Sequence, residues 1–275
     1  MSGHSKWHNI QAKKGKADAA KGKIFTKIGR EIAVAAKSNP NPETNSKLAD
    51  IIAKAKAANM PNDNIQRSIK KASGEMNGAD YKELTYEGYG IAGSAVIIVT
   101  LTDNINRTAG DVRAILGKHG GSMGNTGCVS YNFDNKGYIV VERTVELDED
   151  TMTEYALEAG ADDVITSDDV YEIFTAPEAF SDVRKYLEDK NAELMAAAPK
   201  GRRNEEEEPK IRFVQAEVAM IPQNKIDLPA ADVENKITLP EDKVKTFENM
   251  LDALEEHDDV QNVYHNVELP DDEEE

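Results

Sequence analysis

YIVVERTVELDEDTMTEYALEAGADDVITSDDVYEIFTAPEAFSDVRKYL, residues 138–187, decides the fold. Tyr138 to Arg143 and Val170 to Thr175 are β-branched and aromatic runs of strand length, and Asp163 to Thr166 is a shorter strand between them. Thr151 to Ala159 has helical spacing. Pro177 opens a second helix with Phe180, Val183 and Leu187 turned inward. Arg212 to Ile221 adds a last strand, whose Val214, Ala216, Val218 and Met220 alternate toward one buried face. The order β-α-β-β-α-β is that of a ferredoxin-like α+β unit rather than of a doubly wound parallel sheet.

On the N-terminal side, Ser94 to Thr102 is a buried strand, and Arg107 to His119 is a helix closed by Gly120-Gly121. Cys128 to Phe133 reads as a strand separated from Tyr138 by the turn-forming tetrapeptide Asp134-Asn135-Lys136-Gly137. On the C-terminal side, a helix from Glu241 to His257 carries Val244, Phe247, Leu251 and Leu254, and a strand follows near Val260 to Val267. These flanks have only each other to pair with, so one α+β domain is inserted in another. The fold class expected is therefore α+β: a three-helix N-terminal domain, then two ferredoxin-like domains, one inside the other. The boundaries expected are 1–80, 81–134 with 224–275, and 135–223. The charged stretch 192–209 reads as a mobile surface loop, and Gly74 to about Gly93 as a hinge.

The first 73 residues read as three amphipathic helices. Asp18 to Lys37 sets Ile24, Phe25, Ile28, Ile32 and Ala35 on one side and Lys23, Lys27, Arg30 and Lys37 on the other, which is expected to face outward. Glu43 to Ala58 and a helix capped by Asn62 or Asp63 complete a small bundle.

Charge divides the chain in the same place. The net charge is -18, yet residues 1–71 hold 15 Lys+Arg against 5 Asp+Glu, net +10, so the remainder carries net -28. Such a two-ended protein holds a polyanion by its basic end only. In the leading segment Lys6, Trp7 and His8 set the single tryptophan among cations, and Lys13, Lys14, Lys16, Lys21 and Lys23 follow with Asp18 as the only acid. Cations neutralise phosphates and a flat aromatic stacks on a base. The nucleic-acid-binding residues expected are thus Lys6, Trp7, His8, Lys13, Lys14, Lys16, Lys21, Lys23, Lys27 and Arg30, with Arg107 added from a strand-to-helix junction where Asn and Asp otherwise serve as caps.

Other chemistry finds little support. With 39 % hydrophobic residues and its longest aliphatic stretch at Ala95 to Val99, the chain has no span for a bilayer. One cysteine, Cys128, forms no internal disulfide and no thiolate cluster, and fits a reducing compartment. Gly88, Gly90 and Gly93 spell G-x-G-x-x-G, but ahead of a strand instead of after one, so no nucleotide cofactor is assigned. Gly120, Gly121, Gly124 and Gly127 suit either a phosphate cradle or a helix stop, the second being favoured. Lys136-Gly137-Tyr138 matches only the start of an RNA-recognition strand. His4 and His8 lack a third ligand, so no metal is assigned; the carboxylate clusters fall at turns, and no catalytic residue is proposed.

Gly3-His4-Ser5-Lys6-Trp7, Lys23-Ile24-Phe25-Thr26-Lys27, Ala57-Ala58-Asn59-Met60-Pro61, Tyr86-Glu87-Gly88-Tyr89-Gly90, Thr102-Asp103-Asn104, Asn106-Arg107-Thr108, Lys118-His119-Gly120-Gly121 and Gln261-Asn262-Val263-Tyr264-His265 together resemble the YebC/PmpR family over nearly the whole chain. The resemblance implies a cytoplasmic, non-enzymatic protein without cofactor, membrane or small-molecule substrate, in three domains with the third inserted in the second. It implies a DNA-binding transcriptional regulator or, alternatively, a ribosome-associated, rRNA-binding translation factor that touches ribosomal proteins and assists elongation through stretches such as polyproline. The opening motif begins at Gly3, so no cleavable presequence is expected. Lys14 and Lys21 stand where arginines are usual, Ile91-Ala92 replaces Pro-Gly, Ile105 interrupts a polar run, and the stretch 192–209 is longer than usual.

Overall fold

The structure is a computed structural model that describes residues 21–72, 80–144, 147–197, 209–223, 226–227, 230–231, 237–238 and 241–269. Chain contacts divide it into two compact units, one of residues 135–220 and one of the rest of the described chain.

The larger unit begins with helices α1 (Lys21–Ala36), α2 (Ser46–Ala57) and α3 (Asn62–Ala72). Ile28, Ile32, Leu48, Ala55, Met60 and Ile65 are buried between them. Asn45 sets the α1 to α2 turn: its side-chain oxygen caps α2 by accepting from the Leu48 N–H at 3.1 Å, and its amide donates to the carbonyls of Ala35 and Asn39. At Gly29 an added Cβ would stand 3.2 Å from Ser68 Oγ, so glycine lets α1 and α3 approach closely.

Strand β1 (Lys82–Tyr89) follows and pairs antiparallel with β2 (Ala95–Thr102), from Lys82 opposite Thr102 to Tyr89 opposite Ala95. Of the hinge expected from Gly74 to Gly93, residues 74–79 lie outside the described residues, while 82–89 are thus a strand. Its alternation of Lys82, Glu83, Thr85 and Glu87 with Leu84 and Tyr86 masks a half-buried strand whose polar positions look like loop. Helix α4 (Ile105–Lys118), capped by Asn104, leads to the two-residue strand β3 (Ser122–Met123) on the far side of β1.

The smaller unit runs β4 (Phe133–Glu142), α5 (Glu149–Glu158), β5 (Asp163–Thr166), β6 (Val170–Thr175), α6 (Phe180–Ala197) and β7 (Phe213–Pro222). Its sheet order, β5-β6-β4-β7, is the ferredoxin-like arrangement, with Ile139, Val141, Tyr171 and Ile173 packed against Met152, Ala156, Val183 and Leu187 of the helices. Three details differ from expectation. The tetrapeptide 134–137 is not a turn but the start of β4, while Ser130–Asn132 form a short 3-10 turn in place of a strand. Gly137 is needed there for approach rather than for bending, since a Cβ would sit 2.1 Å from Thr175 Oγ1 and 2.8 Å from Phe180 Cβ. Helix α6 continues to Ala197 through residues of high helix propensity, into the stretch read as loop. On β7, Val218 is exposed, and Phe213 and Ala216 make the core contacts.

Short strands β8 (Ile226–Asp227), β9 (Ala230–Ala231) and β10 (Ile237–Thr238) precede α7 (Glu241–Glu255), β11 (Val260–His265) and β12 (Val267–Glu268). Strand β11 joins β2, giving the order β11-β2-β1-β3. Val96 and Ile98 of β2 are sealed by Val112 and Leu116 of α4 and by Phe247, Met250 and Leu254 of α7. Among the described residues, no helix is long and apolar enough to cross a membrane.

Candidate nucleic-acid interface

The basic face of α1 was expected to look outward. It lies instead over the C-terminal end of α7. Lys27 Nζ donates to the Glu255 carbonyl at 2.6 Å, Lys23 Nζ to that of Glu256 at 3.4 Å, and Arg30 Nη1 to that of Asp258 at 2.6 Å. The last carbonyls of a helix lack intrahelical partners and carry the negative end of its dipole, so they attract cations. Burial pushes the Lys27 ammonium below its usual pKa despite the nearby Glu255 and Asp258 carboxylates.

Asp259 completes this junction. Its side chain is 3 % exposed and takes Arg30 Nη1 at 2.8 Å and Arg107 Nη2 at 2.7 Å. Thr108 Oγ1 and Thr102 Oγ1 donate to the same carboxylate at 2.7 and 3.2 Å. Burial alone would raise the Asp259 pKa, but the bonds from Arg107, Thr108 and Arg30 together outweigh it and hold the pKa at about 2. Arg107 also bridges Asp103 at 3.0 Å, while its N–H is capped by Asn104. Four of the residues expected to bind nucleic acid, Lys23, Lys27, Arg30 and Arg107, are therefore gathered at one internal junction between α1 and the sheet domain. Lys23 and Arg107 keep exposed surface, whereas the Arg30 side chain is only 16 % exposed.

Lys6, Trp7, His8, Lys13, Lys14 and Lys16 lie outside the described residues, as does the side chain of Lys21, whose backbone begins α1. The described part of the module, 21–72, still holds 11 Lys+Arg against 4 Asp+Glu. Between α1 and α3 runs a groove of about 960 Å³, rimmed by Lys37, Arg67 and Lys71 and floored by Phe25, Ala33 and Met60. Lys37 bridges Asp80 at 2.6 Å with both side chains about two-thirds exposed. Arg67 and Lys71 are exposed, and no carboxylate among the described residues pairs with them. Sequence reasoning passed over all three cations as site residues. The signal was the i, i+4 spacing of Arg67 and Lys71 on the face away from Ile65.

The glycine-rich loop resolves the choice between phosphate cradle and helix stop. Gly120 ends α4 at φ 76°, as a helix stop requires. Beyond it, the N–H groups of Gly127, Val129 and Ser130 converge on an anion at 2.8 to 2.9 Å, and the anion is the buried Glu87 carboxylate of β1. Burial opposes ionisation of Glu87, but these bonds hold its pKa below the usual carboxylate value. Cys128 in the same loop has its thiol pushed up by burial and by Glu87, which leaves a weak nucleophile. Glu87, Glu172 and Asp259 are the buried carboxylates among the described residues, and each accepts from internal donors, Tyr138 Oη in the case of Glu172. Among the described residues no group of three or more His, Cys, Asp or Glu is placed to hold a metal ion.

These features define an α+β protein with a basic three-helix module tied into a sheet domain and a ferredoxin-like unit inserted in the chain. A family model described as the TACO1/YebC N-terminal domain matches residues 5–75, and one described as the TACO1/YebC second and third domain matches residues 81–267. The chain belongs to the TACO1/YebC family. It is 50 % identical over 271 residues, 98 % of each chain, to a protein of Clostridium tetani named a probable transcriptional regulatory protein, and 52 % identical over the same share to one of the same name from Clostridium botulinum strain Okra. A crystal structure of a conserved hypothetical protein from Aquifex aeolicus is similar with a TM-score of 0.74 and 38 % identity, covering 94 % of this chain and 95 % of the other.

Proposed function

We propose that this chain is a non-enzymatic regulator of gene expression that binds nucleic acid through its helical module. The observation that carries the reading is the segregation of charge, net +10 over residues 1–71 against net -28 over the remainder, in a protein whose relatives bear the name probable transcriptional regulatory protein. Lys6, Trp7, His8, Lys13, Lys14, Lys16 and Lys21 supply phosphate and stacking contacts, Lys23 and Arg107 add cations with exposed surface, and Lys27 and Arg30 hold the module in place. The test is binding of full-length protein to labelled DNA across a salt series. With about six phosphates neutralised, log affinity falls against log salt with a slope of roughly -5. Lys13→Glu with Lys14→Glu and Lys16→Glu flattens it; a flat response in the unaltered protein refutes the reading.

The acidic remainder favours a second partner. Net -28 is repelled by naked polyanion yet suits basic protein surfaces of the kind a ribosome presents beside its RNA. Co-sedimentation of the full chain with ribosomal subunits after DNA digestion selects this reading over an operator-bound regulator.

A further inference from the structure

We propose that the groove between α1 and α3 receives an unpaired stretch of nucleic-acid strand, with phosphates on Arg67 and Lys71 and a base against the Phe25 and Tyr81 side of the channel. The inference rests on the nucleic-acid reading above and specifies the form of the polymer and where it lies.

Three features of the groove point the same way. The first is charge. Arg67 and Lys71 stand one helical turn apart on α3, about 6 Å along its axis, exposed and without a carboxylate partner among the described residues. Lys37 lines the same channel. The Lys37 bridge to Asp80 is at the surface, where such pairs hold weakly and exchange readily for a phosphate. The second is the lining. Phe25 and Tyr81 are half-buried aromatics in the channel, and Arg30 lies over the Tyr81 ring at 5.2 Å, a cation that stiffens the ring as a stacking platform. Asn64 adds an amide of the sort that meets base edges, while the Thr26 and Ser68 hydroxyls, which donate to the Gly22 and Asn64 carbonyls, can add only acceptors. A cationic track beside flat aromatics is the combination that single-strand sites use, whereas an acidic peptide would gain nothing from the rings. The third is width. Helices α1 and α3 touch at Gly29 and Ser68, and packed helices have axes about 8 to 10 Å apart. A cleft between such helices is too narrow for a duplex with both strands, which leaves a single strand as the form to be tested.

The junction on the other side of α1 supports the same assignment. Lys27 and Arg30 are committed to Glu255, Asp258 and Asp259, which takes two of the four α1 cations, whereas Arg67 and Lys71 of the groove are exposed and have no carboxylate partner among the described residues.

The experiment is fluorescence anisotropy of the full-length chain with labelled oligouridylate, oligodeoxythymidylate and a duplex of the same length. The double variant Arg67→Glu with Lys71→Glu is compared with a charge-matched control outside the groove, Lys47→Glu with Lys56→Glu. Single strands are expected to bind more tightly than duplex. The groove variant should weaken single-strand binding at least tenfold more than the control and make the salt slope shallower by about 1.4, two phosphates at roughly 0.7 each. Tyr81→Leu should cost a further factor of roughly 5 to 150, the range for one lost base stack. Tighter hold on oligouridylate identifies RNA as the source of the strand, and tighter hold on oligodeoxythymidylate identifies DNA. Equal loss in both double variants, duplex preferred over single strand, or displacement of the strand by polyglutamate at equal concentration overturns the groove while leaving the nucleic-acid reading intact. Absence of binding to all three polymers at low salt refutes that reading itself.

Discussion

Asp259→Asn removes the one charge on which the helical module and the sheet domain converge. With its pKa held at about 2 against an ordinary 3.8, and one pKa unit equal to about 1.4 kcal/mol, the ionised carboxylate contributes about 2 to 3 kcal/mol to the folded state. The side chain is 3 % exposed, so solvent screening takes little from that figure. The substitution also deprives Arg30, only 16 % exposed and with its Nε already lacking an acceptor, of its carboxylate and leaves it the Asp258 carbonyl, whereas Arg107 retains Asp103. Loss of stability should therefore reach the upper end of the range. In urea unfolding at pH 7, followed by far-ultraviolet circular dichroism, the midpoint falls by about 1 M if the slope is roughly 2 to 3 kcal/mol per molar. The pH dependence has a fixed sign. Because the folded pKa is depressed, the contribution is complete above the unfolded value near 4 and disappears as pH falls toward 2. The unaltered protein should therefore lose about 2 to 3 kcal/mol more than Asp259→Asn between pH 6 and pH 2. Unchanged midpoints at pH 7, or parallel acid profiles for the two proteins, would refute the idea that this carboxylate holds the junction.

Two further substitutions probe the frame around the site. Gly137→Ala forces a methyl group against Thr175 Oγ1 and Phe180 Cβ and should destabilise the ferredoxin-like unit by about 1 to 3 kcal/mol, read as faster amide exchange in β4 and β6 with α4 and α7 unaffected. Glu87→Gln leaves one side-chain oxygen for three converging N–H donors and should cost about 1 to 3 kcal/mol, with exchange protection lost first at Gly127, Val129 and Ser130; protection unchanged at those amides would show that the loop holds without the carboxylate.

Much of this architecture is legible in residue order. The strands around Ile139, Val164 and Ile173 and the helices bearing Val183, Leu187, Phe247 and Leu254 announce themselves because one face of each is apolar and the periods 2.0 and 3.6 are local properties of the chain. The insertion of one α+β domain in another followed from counting strands that needed partners. Strand β1 escaped because Glu87, an acidic residue in a Gly-rich stretch, is buried only once the 124–132 loop has folded over it. The tetrapeptide 134–137 misled for the opposite reason: its turn-forming letters serve the close approach of Thr175 and Phe180 to Gly137.

The candidate site divides along the same line. Sequence alone determined that cations are concentrated in the first quarter, that they are spaced on helices, and which family the motifs resemble, since charge and period need no partner to be read. Only the tertiary structure decided which cations remain available. Nothing marks Asp259 among 51 acidic residues, yet it lies within hydrogen-bonding distance of Arg30, 229 positions away in the chain. The α7 carbonyls that hold Lys23 and Lys27 belong to backbone and leave no trace in side-chain identity. Arg67 and Lys71 become a candidate site through what stands opposite them across a groove. A charge is set by one residue, but its availability is set by everything that folding brings within a few ångströms of it.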